Sequence, residues 1–295
     1  MSATTFSQPP KSILFISATG GIALSTLKRC LAASSSGPGP SRLTITVLAR
    51  SPTRLQALLS PTELASPSLR IIQGNAHSTS DIVPVLTHPS DPTTLVDIII
   101  TSIGAKPDMK KLTVDDPHVC EKGARALMDA LGQVSQVQST TSSSGSGSAS
   151  GTGTGTSTIE RQKKKPYMIA ISAAGASTLH REYPLALYPV HALLLRAAIK
   201  DKRAMERVLV ENNGKNENEK WTIIRPSMLT DKPEIGLDKV RVAVEDLVNN
   251  KLEGEKVVGY TISREDVGKW VFERLVVGDE GGRRKYLGRA VVLSY

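Results

Sequence analysis

The sequence predicts an α/β fold with a doubly wound parallel sheet, and three observations carry that prediction. Short, nearly continuous apolar runs recur along the 295 residues, and stretches with helical spacing fall between them. Runs that are apolar throughout, rather than alternating, suit parallel strands covered on both faces. Aromatic residues make up only 4% of a chain that is 39% hydrophobic, so the core must be aliphatic and alanine-rich. The alternation of strand and helix gives right-handed crossovers and one substantial core, with 1–295 read as a single domain.

The first strand is predicted over 12–16. It runs directly into Ser17-Ala18-Thr19-Gly20-Gly21-Ile22-Ala23, which opens a helix over 22–32. Strand, small-residue turn and helix is the order a pyrophosphate needs. Small residues let the backbone approach the phosphates, and the helix start offers free N–H groups and a positive dipole end. Ser17 stands where the glycine fingerprint has its first glycine and Ala23 where it has its third; Gly20 matches and Gly21 is an extra. The same segment also fits an ordinary strand-to-helix turn. A small insertion over 34–40 separates this helix from the second strand, 44–48. A helix over 53–59, a strand over 69–72, a helix over 81–86 and a strand over 96–102 follow.

A helix is predicted over 117–131, with Cys120 on it. Beyond it, 139–157 is almost purely Ser, Thr, Gly and Ala. Such a tract buries too little apolar surface to offset its ordering entropy, so 133–165 is expected to be a disordered surface insertion. Strands over 167–172 and 221–225 flank a helix over 193–212, on which Leu195, Ile199, Met205, Val208 and Leu209 keep helical spacing. A polar loop over 212–220 separates the last two. In the remainder, Ser263 with Asp266 three residues on resembles a capping box for a helix to about 275, and Val291-Val292-Leu293 reads as a last strand. Together these make a Rossmann body with 227–295 as a small C-terminal cap on the substrate side.

The formal net charge is +9, but the basic residues are scattered. The one dense run, Lys163-Lys164-Lys165, has no interleaved aromatic residues, which argues against a nucleic-acid partner. A basic chain also suits a polyanionic dinucleotide. Only two cysteines occur, Cys30 and Cys120, which suggests neither a disulfide scaffold nor a metal site. No apolar run has the length of a membrane span, and residues 1–11 lack the apolar core of a secretory signal. A reducing cytoplasm is the expected setting; monomer and homodimer both stand open.

Several segments line up in order: 13–23, then Val47-Leu48-Ala49-Arg50, Ile71-Ile72-Gln73-Gly74-Asn75, and Asp97-Ile98-Ile99-Ile100-Thr101-Ser102-Ile103-Gly104. Ile169-Ala170-Ile171-Ser172-Ala173-Ala174-Gly175, Thr222-Ile223-Ile224-Arg225-Pro226 and Thr261-Ile262-Ser263-Arg264-Glu265-Asp266-Val267 complete the series. This series resembles the atypical short-chain dehydrogenase/reductases that bind NAD(P)H, including the NmrA-like proteins and the biliverdin reductase B group. The resemblance covers nearly the whole chain except the insertions. It implies that Ser17, Thr19, Gly20, Gly21 and Ile22 seat the diphosphate. Arg50, just after the second strand, would meet a 2′-phosphate with its planar guanidinium, and Arg54 would add a contact. That choice favours NADP(H) over NAD(H); the alternative is a solvated surface charge. Asn75 stands where many relatives carry an Asp near the adenine. Ser102, Ile103 and Gly104, with Pro226, would line the ribose and nicotinamide side.

Short-chain dehydrogenases use a Ser, a Tyr and a Lys to protonate or deprotonate their substrate. By the resemblance, Ser172 takes the place of the Ser and Lys202 that of the Lys. The Tyr should lie four residues before Lys202, where this chain has Ala198. Tyr183 and Tyr188 lie upstream, with His180 and His191, and Tyr188 is the candidate proton donor; loop packing is the other reading of both tyrosines. Three functions follow. One is an NADPH-dependent reductase of an electrophilic small molecule such as a quinone, flavin or enone, where solvent supplies the proton. The second is an NADP(H)-binding sensor without turnover, and the third a non-redox isomerase or dehydratase on the same fold.

Overall fold

The apolar runs assemble into one nine-stranded sheet in this computed structural model, which describes residues 11–35, 43–105, 107–108, 113–143, 165–213 and 220–295. The strands are β1 (Lys11–Ile16), β2 (Leu43–Ala49), β3 (Leu69–Gln73), β4 (Ile98–Thr101) and β5 (Tyr167–Ile171), followed by β6 (Trp221–Pro226), β7 (Arg241–Asp246), β8 (Lys251–Glu253) and β9 (Arg289–Ser294). Their spatial order is β8-β7-β9-β6-β5-β4-β1-β2-β3. From β9 to β3 every pairing is parallel, with Ile13 beside Ile45 and Ile98. At the other edge β7 runs antiparallel to both β9 and β8.

Four longer helices cover the sheet: α1 (Gly21–Ser35), α2 (Val119–Ser143), α3 (Arg196–Asn213) and α4 (Arg264–Val271). β1 shows why its sequence is apolar throughout. Ile13 and Phe15 enter a core with Leu27 and Leu31 of α1 and Trp270 of α4. Leu14 and Ile16 point the other way, among Leu127 and Ala130 of α2 and Val208 and Leu209 of α3. Two cores thus sandwich one sheet, as a period of two between faces requires.

α1 and α4 pack backbone to backbone. A Cβ at Gly268 would lie 2.3 Å from Ser25 Oγ, so this crossing tolerates only glycine. Ser25 Oγ also donates to Glu265 Oε2 at 2.7 Å. Ser263 caps α4 as expected, its Oγ accepting from the Asp266 amide at 3.1 Å. The Asp266 carboxylate accepts from the amides of Ile235 and Gly236 and from the Tyr295 hydroxyl, a structural role.

The structure departs from the sequence reading in four places. The helix expected to end at 131 continues as α2 to Ser143, through 133–143 of the expected disordered insertion. Val134, buried against the core of that face, carries it past Gly132. The rest of the tract, 144–164, lies outside the described residues, as do 36–42 and 214–219 of the two smaller loops. The helix before the last internal strand begins early, as a short turn Tyr188–Val190 and a π-helical turn His191–Leu195 ahead of α3. Much of 227–295 does not sit apart as a cap: β9 pairs with β6, β7 adds to the free edge of β9, and β8 adds to β7, so all three join the main sheet. What overlies the strand ends is smaller, centred on the parallel pair Met228–Thr230 and Thr261–Ser263. A hairpin, Thr87–His88 with Asp91–Leu95, also follows a helix that is only Thr79–Ile82 plus the 3₁₀ turn Val83–Val85.

Candidate cofactor and substrate site

β1 and β4 are neighbours from which the chain departs toward opposite faces, to α1 on one and α2 on the other. That switch point opens a crevice beyond the strand ends, where ligands of open α/β sheets bind. Ser17 leaves β1 with φ at 67°, a left-handed conformation where the fingerprint expects glycine. The backbone shape of the turn is therefore retained despite the side chain, at a cost of about 1–2 kcal/mol. The Ser17 amide donates to Leu48 O at 3.3 Å, tying the turn to β2. A Cβ at Gly20 would meet Ser102 Oγ at 3.8 Å, which brings the ends of β1 and β4 together. A bare backbone and a helix start at Gly21 fit a dinucleotide diphosphate.

Arg50 follows β2 and Arg54 lies one turn on, both exposed. Among the described residues neither pairs with a carboxylate. Asn75 lies beyond β3, its amide donating to Asp81 Oδ2 at 2.7 Å and its Oδ1 accepting from the His77 amide at 3.1 Å. The Asn75 amide and then the Ser78 hydroxyl hold the Asp81 carboxyl below its usual range. The adenosine side is thus a rim of fixed loops carrying two open cations.

A cavity of about 280 Å³ adjoins the crevice, lined among others by Gly104, Ser172, Tyr183, Ala198, Lys202 and Pro226. Ala198 faces this cavity one turn before Lys202, so no phenol stands there. Lys202 Nζ donates to Ile103 O at 2.7 Å and Ile171 O at 2.8 Å, joining the ends of β4 and β5. Its neighbour Asp201 accepts from the amides of Cys120 and Glu121, at 2.8 Å and 2.9 Å, capping the first turn of α2. Burial pushes the Cys120 thiol up to about 11 against the pull of Lys202, so it is no nucleophile at neutral pH. Tyr188 is not brought to this cavity. It is 58% exposed and lines an adjoining basin with Arg196 and Lys200, whereas Tyr183 lines both. The side chain of His191 lies outside the described residues.

Behind Ser172 lies a buried charge cluster. Ser172 Oγ donates to Glu206 Oε1 at 2.5 Å. The Arg225 guanidinium holds Glu206 through Nε at 3.0 Å and Nη2 at 2.6 Å, while its Nη1 reaches Glu182 and Glu245, each at 3.0 Å. Burial raises the Glu182 carboxyl above its usual range, against the attraction of Arg225. His180 sits 3.7 Å from Glu245, and burial holds its imidazole below its usual range. His180, Glu182 and Glu245 converge closely enough to hold a cation, but the guanidinium already supplies one there. Sequence reasoning missed Glu206 and Arg225 as a pair. The available signal was a charged residue inside an otherwise apolar strand, which demands a buried partner.

A family model described as NAD(P)H-binding matches residues 17–276, from the Ser17 turn through the cavity to α4 and beyond. The chain belongs to this NAD(P)H-binding family. Reductase pytE of Aspergillus terreus is 31% identical to it over 299 residues, covering 96% of this chain and 98% of its own. Oxidase pynE of Aspergillus niger is 30% identical over 297 residues, covering 92% and 95%. Among solved structures, a short-chain dehydrogenase/reductase from Veillonella parvula superposes with a TM-score of 0.59 at 17% identity, over 97% of this chain and 94% of its own. ChuY, an anaerobilin reductase from Escherichia coli, gives 0.56 at 14%, over 96% and 97%. Those two likenesses show the shared fold. The NAD(P)H-binding protein is therefore a member of an oxidoreductase family with a nicotinamide dinucleotide as its cofactor. No helix among the described residues is long and apolar enough to cross a membrane.

Proposed function

We propose that this NAD(P)H-binding protein is an NADPH-dependent reductase of the atypical short-chain type, acting in the cytoplasm on a small electrophilic acceptor such as a quinone, flavin or enone. The observation that carries the reading is the cavity wall. Ala198 occupies the place of the acid Tyr, and Lys202 donates to two backbone carbonyls. A wall without that dyad suits an acceptor that needs little acid catalysis.

When bound, the nicotinamide supplies the hydride. The chain supplies position. Residues Ser17, Thr19, Gly20, Gly21 and Ile22 seat the diphosphate. Arg50, exposed and unpaired among the described residues, meets the 2′-phosphate with Arg54 beside it, and Asn75 edges the adenine. Ser102, Ile103, Gly104 and Pro226 line the ribose and nicotinamide. Lys202 acts as a positioning residue, fixing the ends of β4 and β5 on either side of the reacting groups. The Ser172 hydroxyl spends its proton on Glu206, so it offers the acceptor a lone pair rather than a donor. Tyr183, which lines the cavity, is better placed than Tyr188 to touch the acceptor. Solvent entering at the rim delivers the proton.

The test is a fluorescence titration with NADPH and NADH, followed by NADPH consumption assays with menadione, FMN and an enone. Tight NADPH binding with turnover of one acceptor class is expected. Tight binding with no turnover of any class would replace the reductase with an NADP(H) sensor, and a wild-type protein that binds neither nucleotide would end the cofactor reading.

A further inference from the structure

We propose that Arg264 is the cation that closes over the dinucleotide diphosphate, and that Asp231 is the counter-ion it leaves in doing so. The inference rests on the cofactor site described above. It begins from the extra glycine of the turn. Gly21 is not among the residues of positive φ, so backbone conformation does not require glycine there. Arg264 does. A Cβ at Gly21 would lie 2.0 Å from Arg264 Cδ, 2.8 Å from Nε and 3.1 Å from Cγ. The arginine stem therefore rests on the bare first residue of α1, where the unpaired helix amides begin.

The same side chain also lines the cavity. Lys202 and Arg264 are the cations of that lining among the described residues, and Lys202 is committed to the carbonyls of Ile103 and Ile171. Arg29, on the outer side of α1, is held by Glu234 and Glu265. Among the described residues Arg264 is held by Asp231 alone, through Nη1 at 2.8 Å. That carboxylate is 90% exposed, and such a pair contributes about 0.2–1 kcal/mol. A diphosphate offers more charge and accepts a guanidinium bidentately, so the exchange favours the ligand.

The root of the arginine is rigid, which makes the exchange a side-chain movement. Arg264 is the first residue of α4, Ser263 caps that helix, and Gly268 locks it against α1. Both ends of the grip, the α1 amides and the arginine, thus belong to one packed pair of helices. A turn with serine for its first glycine gains charge from outside the turn itself.

The experiment compares NADPH and NADH affinities, by nicotinamide fluorescence, for wild type, Arg264→Gln and Asp231→Asn. Both nucleotides carry the diphosphate, so Arg264→Gln should weaken both by the same factor, about tenfold to a hundredfold. Asp231→Asn should tighten both, by about two- to fivefold. Melting curves without nucleotide check that each variant is folded, and Asp231→Asn keeps the test open if Arg264→Gln is not. Unchanged affinities in a folded Arg264→Gln, or no gain in Asp231→Asn, would overturn the proposal while leaving the cofactor site standing. A selective loss of NADPH alone would move Arg264 to the 2′-phosphate and also overturn it. A wild-type protein that binds neither nucleotide would remove the cofactor reading and this inference together.

Discussion

Arg50 and Arg225 each stand near the end of a parallel strand, yet their surroundings are opposite. Arg50 is exposed with no carboxylate partner among the described residues, whereas Arg225 is 1% exposed and enclosed by Glu182, Glu206 and Glu245. An enclosed guanidinium has lost its water and gives its hydrogen bonds to fixed carboxylates, so it organises the chain. An open one keeps its donors for a ligand. The β2 side of the crevice thus presents uncommitted charge at Arg50, and the other side uses charge to shape the wall behind Ser172.

That contrast breaks first at Arg225. Arg225→Met would leave three buried carboxylates without their cation, and a loss of about 3–5 kcal/mol is expected in a denaturant titration. A loss below about 1 kcal/mol would mean that the carboxylates simply take up protons and that the cluster is not architectural. Arg50→Ala should instead leave stability untouched and weaken NADPH about tenfold to a hundredfold while NADH is unchanged. Equal weakening of both nucleotides would withdraw the 2′-phosphate from Arg50.

Smaller effects sharpen the same division. Ser17→Gly removes the left-handed strain at the turn and should raise stability by about 1 kcal/mol, seen as a higher Tm. A lower Tm would show that the serine hydroxyl, not the backbone, matters there. The smallest effect is a slope. Burial raises the folded-state pKa of Glu182, so its share of stability is full below the ordinary carboxylate range and declines as pH rises through the folded value. Glu182→Gln cannot titrate. The stability gap between wild type and Glu182→Gln should therefore narrow as pH rises through that window, and a constant gap would assign the titration to another group.

The sequence displays the parallel sheet and the small-residue turn after β1 because both are local. β1 to β6 are apolar runs, and the Ser17–Gly21 turn is contiguous with the first of them. Lys202 was legible as a residue but not as a hydrogen-bond donor to Ile103 and Ile171, because its partners lie far away in the chain. Glu206 and Arg264 were invisible for the same reason: one is defined by a strand behind it, the other by a glycine on another helix. β7 escaped notice because Arg241-Val242-Ala243-Val244-Glu245-Asp246 mixes charge with apolar residues, and only the edge of the finished sheet makes it a strand. Tyr188 and Tyr183 share the same local pattern, a tyrosine before a proline, and only the folded chain separates the one that lines the cavity.

Asp201 and Lys202 are consecutive residues with complementary attachments, one clamping the start of α2 and the other the tips of β4 and β5. In mechanical terms α3 is keyed, like a shaft with two teeth cut a fixed angle apart. A slip of one residue would disengage both teeth at once, so the helix has no neighbouring register to slide into. The wall carrying Ala198 is then the stationary jaw of the cavity, facing a side that Tyr260 and Arg264 line from the C-terminal segments.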